Sequence, residues 1–165
     1  MHWSSTAPAD SIRLFCLPFA GGGALAYRNW MHALPAGIDL WAVQPPGRAN
    51  RLKEHCLTRL TALVSVLSSE LDPYLDRPFI LFGHSLGALA SFELIRALRR
   101  QGLPLPQVLV VSGQGAPQLP NPNPPLHPMP DPELIQMLRH YGVPRGGAPG
   151  RRFTTIAPPQ FAGRL

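Results

Sequence analysis

Short apolar runs alternate with longer amphipathic segments through residue 112, and this alternation constrains the fold more than any other feature of the sequence. The runs are continuously apolar, as in Phe79 to Phe82 and Val108 to Val111, whereas a strand with one face in water alternates apolar and polar residues. Continuously apolar strands are typical of a parallel sheet that is covered by helices on both faces. The pattern therefore predicts an α/β fold with a mostly parallel sheet.

The predicted elements follow one another as strand, helix, strand along the chain. Strands are predicted from apolar runs at residues 11–18, 38–43, 79–82 and 108–111. Helices are predicted at residues 24–34, 57–71, 88–100 and 132–141. The apolar positions at helical spacing are Leu25, Trp30 and Leu34 in the first helix, and Leu60, Leu63, Val64, Leu67 and Leu71 in the second.

The composition changes after Gly113, where eight prolines fall between Pro117 and Pro132. Because proline lacks a backbone N–H and fixes φ, this stretch excludes a packed helix or a central strand. Asp131 and Pro132 then supply an N-cap and a first helical residue for the last predicted helix. Residues 144–165 are rich in Arg, Pro and Gly, and we expect this tail to be disordered or out of frame.

The net charge of +6 comes mainly from that tail. Four arginines follow Gly142 without any acidic residue, so the chain through Tyr141 has 11 basic and 9 acidic residues. No basic stripe with interleaved aromatics is present, which argues against nucleic-acid binding. No apolar run approaches the roughly 20 residues of a membrane span, and residues 1–10 do not resemble a secretory signal. We expect a cytoplasmic protein in which Cys16 and Cys56 are free thiols.

The strongest chemical signal is Gly83-His84-Ser85-Leu86-Gly87, a GxSxG motif between an apolar strand and a helix. In this context the motif predicts a nucleophile elbow with Ser85 on a strained strand-to-helix turn. The flanking glycines allow the helix and a neighbouring strand to approach without Cβ clashes. A chance GxSxG in a Gly-rich chain is the alternative, and the strand before and the helix after the motif argue against it.

A second signal is the Gly-rich turn Ala20-Gly21-Gly22-Gly23 after the first strand. In a serine hydrolase, one oxyanion donor is the backbone N–H of the residue after the nucleophile, here Leu86, and the other comes from this kind of loop. We assign the second donor to Ala20. The turn lacks the GxGxxG and GxxxxGKS patterns of phosphate-binding loops, and a simple connecting turn remains the alternative.

Several motifs together resemble the stand-alone (type II) thioesterases of nonribosomal peptide and polyketide assembly lines. They occur in that family's order and spacing, cover about residues 11–143, and are Leu17-Pro18-Phe19-Ala20-Gly21-Gly22, Tyr27, Gln44-Pro45-Pro46-Gly47-Arg48, Phe82-Gly83-His84-Ser85-Leu86-Gly87-Ala88, Val111-Ser112-Gly113 with Ala116-Pro117, and Asp131-Pro132-Glu133-Leu134 with Tyr141-Gly142. The resemblance implies an α/β-hydrolase fold with a lid segment at 113–143.

The resemblance also implies a reaction and a partner. Such enzymes hydrolyse acyl groups from the phosphopantetheine arm of acyl or peptidyl carrier proteins, and they need no metal and no cofactor. Two other hypotheses stay open. One is a serine esterase or lipase that acts on small esters, and the other is a catalytically silent module that still binds carrier proteins.

The acid and the base of a catalytic triad are not found in this sequence. His84 adjoins the nucleophile, but its side chain leaves the elbow in another direction and is expected to pack. The triad order of this fold places the histidine after the acid, so only His127 and His140 qualify. Asp131 and His140 lie nine residues apart on one predicted helix, about 13 Å along its axis, too far for a hydrogen bond.

The resemblance places the acid and the histidine beyond the matching region. In embedded thioesterase relatives the acid ends the strand after the nucleophile helix, where this chain has Ser112. In type II enzymes it follows the next strand. Because the likeness stops near Val143, we expect a fold that is incomplete at its C-terminus, from a frameshifted or fragmentary gene or, alternatively, a natural short form.

Overall fold

Four parallel strands form the centre of the structure, a computed structural model that describes residues 7, 8, 10–116, 119 and 130–140. The strands are β1 (Ile12–Leu17), β2 (Ile38–Ala42), β3 (Phe79–His84) and β4 (Val108–Ser112). Their order across the sheet is β2-β1-β3-β4, and every neighbouring pair is parallel. The mostly parallel α/β sheet predicted from the sequence is confirmed.

The register brings the carboxyl ends of three strands to one edge of the sheet. Leu17 of β1 is paired with Gly83 of β3, and His84 of β3 is paired with Ser112 of β4. Residues that follow these strands therefore meet at the same edge, as is general for ligand sites in parallel α/β sheets.

The helices lie where the sequence predicts them, with shifted ends. They are α1 (Leu60–Leu71), α2 (Leu86–Gln101) and α3 (Asp131–His140), and short 3-10 helices span Ala24–His32, Ala49–Arg51 and Asp72–Tyr74. In α1 the predicted apolar face is confirmed, because Val64, Leu67 and Leu71 are buried, and Leu60 and Leu63 pack against the core that contains Leu67 and Leu71. Helix α2 begins two residues earlier than predicted, directly after Ser85.

The segment predicted as the first helix is a 3-10 helix. Of its predicted apolar positions, Trp30 is buried and Leu34 packs against the core, but Leu25 is exposed. With about three residues per turn, positions i, i+3 and i+6 share a face. Ala24, Tyr27 and Trp30 have this spacing and are buried, whereas Leu25 is 62% exposed. Leu25 would belong to the buried face only with the α-helical period of 3.6 residues.

The core has one layer on each face of the sheet. Successive residues of β1 point to opposite faces. Phe15 and Leu17 pack on one face with residues of α1 and α2, and Leu14 and Cys16 pack on the other with Tyr27 and Trp30 of the first 3-10 helix. This two-sided burial explains why the strand sequences are continuously apolar.

Strand β4 departs from that pattern. Val108 and Val111 are about half exposed, at 48% and 53%, although the apolar run predicts burial on both faces. The strand lies at the end of the sheet order, and the described residues contain no fifth strand beside it.

Other sequence predictions fall on residues 113–165. Helix α3 begins at Asp131, one residue before the predicted start, and it belongs to a second compact unit that begins at Gly115. Residues 120–129, which hold most of the clustered prolines and His127, lie outside the described residues, as does the tail 144–165. Within the described part of the chain, no helix combines the length and the apolar character that crossing a bilayer requires.

The 3-10 helix offers a direct test of how the second face of the sheet is covered. Trp30→Ala should lower the free energy of unfolding by about 3–5 kcal/mol, the usual cost of truncating a large buried aromatic residue. Leu25→Ala, on the exposed side of the same helix, should change it by less than about 0.5 kcal/mol. Urea denaturation of both variants provides the measurement, and equal losses would contradict the 3-10 assignment.

Candidate active site

Ser85 occupies the tight turn between β3 and α2. Its backbone has φ 53° and ψ −117°, a left-handed value that non-glycine residues rarely adopt and that costs on the order of 1–3 kcal/mol. The turn is held by backbone hydrogen bonds: the Ser85 N–H donates to the Ser112 carbonyl at 2.8 Å, and the Ser85 carbonyl accepts from the Ala88 N–H at 2.9 Å. The predicted strand–turn–helix geometry of a nucleophile elbow is therefore present around this serine.

Two glycines make the turn possible because backbone approaches backbone there. A Cβ on Gly83 would collide with the carbonyl of Gly87, and a Cβ on Gly87 would collide with the carbonyl of Leu17. Any side chain at either position would push α2 away from β1 and β3. The spacing of the GxSxG motif thus follows from the close packing of this helix on the sheet.

Ala20 lies in a turn directly after β1. The Gly22 N–H donates to the Phe19 carbonyl at 2.9 Å, which closes the turn, and Gly21 has φ +81°. A positive φ at the third residue is what a type II turn requires. Leu86 is the first residue of α2, and the first N–H groups of an α-helix have no acceptor within the helix.

Ala20 and Leu86 line the same apolar pocket. The other walls include the α1 residues Leu63 and Leu67, Ala90 of α2, and, from the segment after β2, Val43, Pro45, Pro46, Arg48, Cys56 and Leu57. Arg48 is the one charged residue among those that line it. The pocket is thus lined both by the Gly-rich loop and by the first residues of α2, which directly follow Ser85.

His84 packs beneath the turn, in line with its sequence interpretation. Its Nδ1 lies 3.0 Å from the Ser112 hydroxyl, its ring meets Phe19 edge-on with centroids 6.0 Å apart, and a Cβ on Gly113 would come within 2.6 Å of the ring. Burial lowers the pKa of His84, because the charged imidazolium loses solvation there.

The remaining sequence candidates for a triad acid and base all follow Gly115 in the chain. Asp131 and His140 are the two terminal residues of α3, so one helix separates them as predicted, and His127 lies outside the described residues. Both Cys16 and Cys56 are free thiols, and burial raises the pKa of Cys16. Among the residues that the structure describes, no group of three or more His, Cys, Asp or Glu side chains could hold a metal ion.

Two residues near the site received no role from the sequence analysis. Tyr27 is buried and its hydroxyl donates to the Leu17 carbonyl at 2.7 Å. Gln44 is buried and its amide contacts Ala24. Both belong to the motifs on which the family resemblance rests. The sequence signal that could have indicated a role for Gln44 is a polar residue directly after a predicted apolar strand.

The parallel sheet and the strand–Ser85–helix turn define an α/β-hydrolase-type protein. Residues 12–147 match the family described as Thioesterase domain. The chain belongs to this thioesterase family.

Individual proteins from biosynthetic pathways are also similar to this chain. The chain is 45% identical over 131 residues to the gramicidin S biosynthesis protein GrsT of Aneurinibacillus migulanus, covering 79% of this chain and 51% of GrsT. It resembles the structure of RedJ, a thioesterase from the prodiginine biosynthetic pathway in Streptomyces coelicolor, with TM-score 0.74 and 35% sequence identity. That match covers 85% of this chain and 55% of RedJ. It also resembles the type II thioesterase BorB from the borrelidin biosynthetic cluster, with TM-score 0.72 and 37% sequence identity. That match covers 82% of this chain and 55% of BorB. The chain thus spans about half the length of these relatives.

The packing at the elbow predicts the effect of adding one methyl group. Gly83→Ala should lower the free energy of unfolding by about 1–3 kcal/mol, because overpacking forces α2 away from the sheet. Gly115→Ala is the control, since a Cβ there meets nothing within 4 Å. Thermal and urea denaturation of both variants provide the measurement, and a Gly83 variant as stable as the control would show that the elbow is loosely packed.

Because His84 is partly buried, we expect its pKa to lie below the ordinary value of 6.5. Since the unfolded chain then binds the proton more tightly, the contribution of His84 to stability is complete above the unfolded pKa and is lost as the pH falls through the folded pKa. An NMR titration of the ring, with the signal assigned by a His84→Gln variant, provides the measurement. A midpoint at or above 6.5 would rule out desolvation as the dominant influence.

Proposed function

We propose that this protein hydrolyses acyl thioesters on the phosphopantetheine arm of acyl or peptidyl carrier proteins, as an editing thioesterase of nonribosomal peptide or polyketide biosynthesis. Ser85 is the proposed nucleophile, and the backbone N–H groups of Ala20 and Leu86 are the proposed oxyanion donors. The geometry of Ser85 carries the proposal: it has a strained positive φ on a strand-to-helix turn and adjoins Leu86, which lines the same apolar pocket as Ala20.

The proposed reaction proceeds in two acyl transfers. The Ser85 Oγ attacks the thioester carbonyl carbon, and the carbonyl oxygen becomes an oxyanion that accepts hydrogen bonds from the two backbone N–H groups. Collapse of this intermediate breaks the C–S bond, and the pantetheine thiolate leaves and takes up a proton. Water then attacks the acyl-serine, which releases the carboxylic acid and regenerates Ser85.

The proton that Ser85 loses must pass to a base, and we assign that role to no described residue. His84 is adjacent in the chain, but its Nδ1 contacts Ser112 and its ring is packed against Phe19. Without the base, a nucleophile and an oxyanion hole retain only part of the rate, roughly 10³–10⁴-fold over water in the serine proteases.

The apolar pocket and the relatives support the proposed substrate. The pocket wall is mostly aliphatic, which suits an acyl chain better than a charged group. RedJ and BorB are described as thioesterases of biosynthetic pathways, and the match to the thioesterase family spans residues 12–147. A carrier protein that presents a thioester is the partner that such a reaction needs.

The proposal extends to organisation and location. We assign residues 11–143 to the thioesterase domain, with residues 113–143 as its lid segment, and treat residues 144–165 as a separate basic tail. The family match over residues 12–147 supports the extent of the domain. A cytoplasmic location follows from the proposed partner, because carrier proteins receive their acyl groups from cytoplasmic metabolites.

The role of Ser85 is testable by covalent labelling. A fluorophosphonate probe should modify the chain at one serine, and Ser85→Ala should abolish the labelling because the attacking Oγ is removed. Ser69→Ala, an exposed serine on α1, should label like the unaltered chain. Labelling is followed by intact-protein mass spectrometry, and full labelling of the Ser85 variant would refute the nucleophile assignment.

A parallel assay with an acyl-pantetheine thioester and a simple oxygen ester of the same acyl group distinguishes a thioesterase from an esterase. Faster turnover of the thioester, lost in Ser85→Ala, supports the proposal. Preference for the oxygen ester indicates a small-molecule esterase. Binding of an acylated carrier protein without any hydrolysis indicates a silent binding module.

A further inference from the structure

The Gln44 side chain is buried and bridges two segments of the chain. It is 7% exposed and lies two residues after β2 ends. Its Oε1 accepts a hydrogen bond from the Ala24 N–H at 3.1 Å, and its Nε2 donates to the Arg48 carbonyl at 3.1 Å. Because one partner can only donate and the other can only accept, these contacts determine which way the amide points.

The Ala24 contact lies at one end of the Gly-rich loop that holds Ala20. Residues 18–23 connect β1 to the first 3-10 helix, which begins at Ala24. At the other end of this loop the Leu17 carbonyl accepts from the buried Tyr27 hydroxyl at 2.7 Å. Both ends of the loop are therefore hydrogen-bonded to buried side chains, and the Gln44 side chain comes from the segment that follows β2.

The amide of Gln44 also lies against the loop backbone itself. A Cβ on Gly23 would come within 2.9 Å of both Oε1 and Nε2 of Gln44, closer than real Cβ contacts allow. A side chain at this position would have to displace the amide group of Gln44. The close contact and the hydrogen bond together leave the loop little freedom to shift toward β2.

Gln44 is in turn held from the other side. Its backbone carbonyl accepts from Arg51 Nη1 at 2.9 Å, and Arg51 also donates to both carboxylate oxygens of Glu54, at 2.7 and 2.6 Å. The 44–54 segment therefore carries its own network, and this network reaches the loop through the Gln44 amide.

We infer that Gln44 is a positioning residue that holds the 18–23 loop, and with it the Ala20 N–H, at the distance from Ser85 that oxyanion stabilisation requires. The inference rests on the proposed function, because it assigns Gln44 to the same oxyanion site. Oxyanion donors act over a few tenths of an ångström, so a loop released at one end loses catalysis before it loses its fold.

Labelling of Ser85 by a fluorophosphonate tests this inference on the chain as it exists, because the phosphoryl oxygen of the adduct occupies the oxyanion position. Gln44→Met keeps the length of the side chain and removes both hydrogen bonds. The maximal labelling rate should fall about tenfold to a hundredfold, the range that a misplaced catalytic group produces. The probe concentration for half-maximal rate should change by less than about twofold, since the apolar pocket is unaltered.

Gln107→Met is the matched control. Gln107 is exposed and directly precedes β4, at the opposite end of that strand from Ser112. Its backbone N–H donates to the Phe79 carbonyl, a bond that does not involve the side chain. This variant should label at the unaltered rate. Melting curves of both variants separate the two possible roles of Gln44, because a purely structural residue lowers the melting temperature and leaves the labelling rate of folded molecules unchanged.

A Gln44→Glu variant gives a second readout and covers the case in which the methionine variant fails to fold. A neutral carboxyl group can accept from the Ala24 N–H and donate to the Arg48 carbonyl, as the amide does. A carboxylate cannot donate and faces the Arg48 and Pro45 carbonyl oxygens, with the Arg51 guanidinium bonded to the Gln44 backbone nearby. The labelling rate relative to the unaltered chain at each pH should therefore rise as the pH is lowered.

The outcomes separate the two proposals. If the unaltered chain shows no labelling that Ser85→Ala removes, the proposed function fails. If Ser85 is labelled and Gln44→Met labels at the same maximal rate, or if the glutamate variant shows no relative recovery in acid, the positioning role fails and the nucleophile assignment stands.

Discussion

The close approach of α2 to β1, where Gly87 touches the carbonyl of Leu17, is the contact on which the rest of the site depends. It sets the distance between the strand end that leads into the Gly-rich loop and the helix that begins at Leu86. Because backbone packs on backbone, no side-chain rearrangement can adjust this distance. The strained φ of Ser85 persists because β3, α2 and the bond to Ser112 all constrain the same turn.

Around this contact the chain stabilises its loops with buried polar side chains. Tyr27 holds the start of the Gly-rich loop from one face of the sheet, and Gln44 holds its end from the segment after β2. A loop without regular structure needs such partners, since its buried N–H and C=O groups would otherwise lack hydrogen bonds. The first 3-10 helix serves the same end, because its three-residue period aligns Ala24, Tyr27 and Trp30 against the sheet.

Membership of the thioesterase family agrees with this architecture, and the relatives place the matching region in proteins about twice as long. The described residues form the four-stranded sheet, the strained turn at Ser85 and the Gly-rich loop that follows β1.

The sequence by itself determined the parallel sheet and the position of the elbow, because continuous apolar runs and a GxSxG between strand and helix are local patterns with few structural solutions. It also located α1 and α2 to within a few residues. The tertiary structure decided the 3-10 form of Ala24–His32, the exposure of β4 and the contacts of Gln44. Each of these depends on residues distant in sequence. The period of the helix depends on the sheet face that it covers, and the exposure of β4 depends on which elements lie beside it. The orientation of the Gln44 amide depends on a backbone N–H twenty residues away.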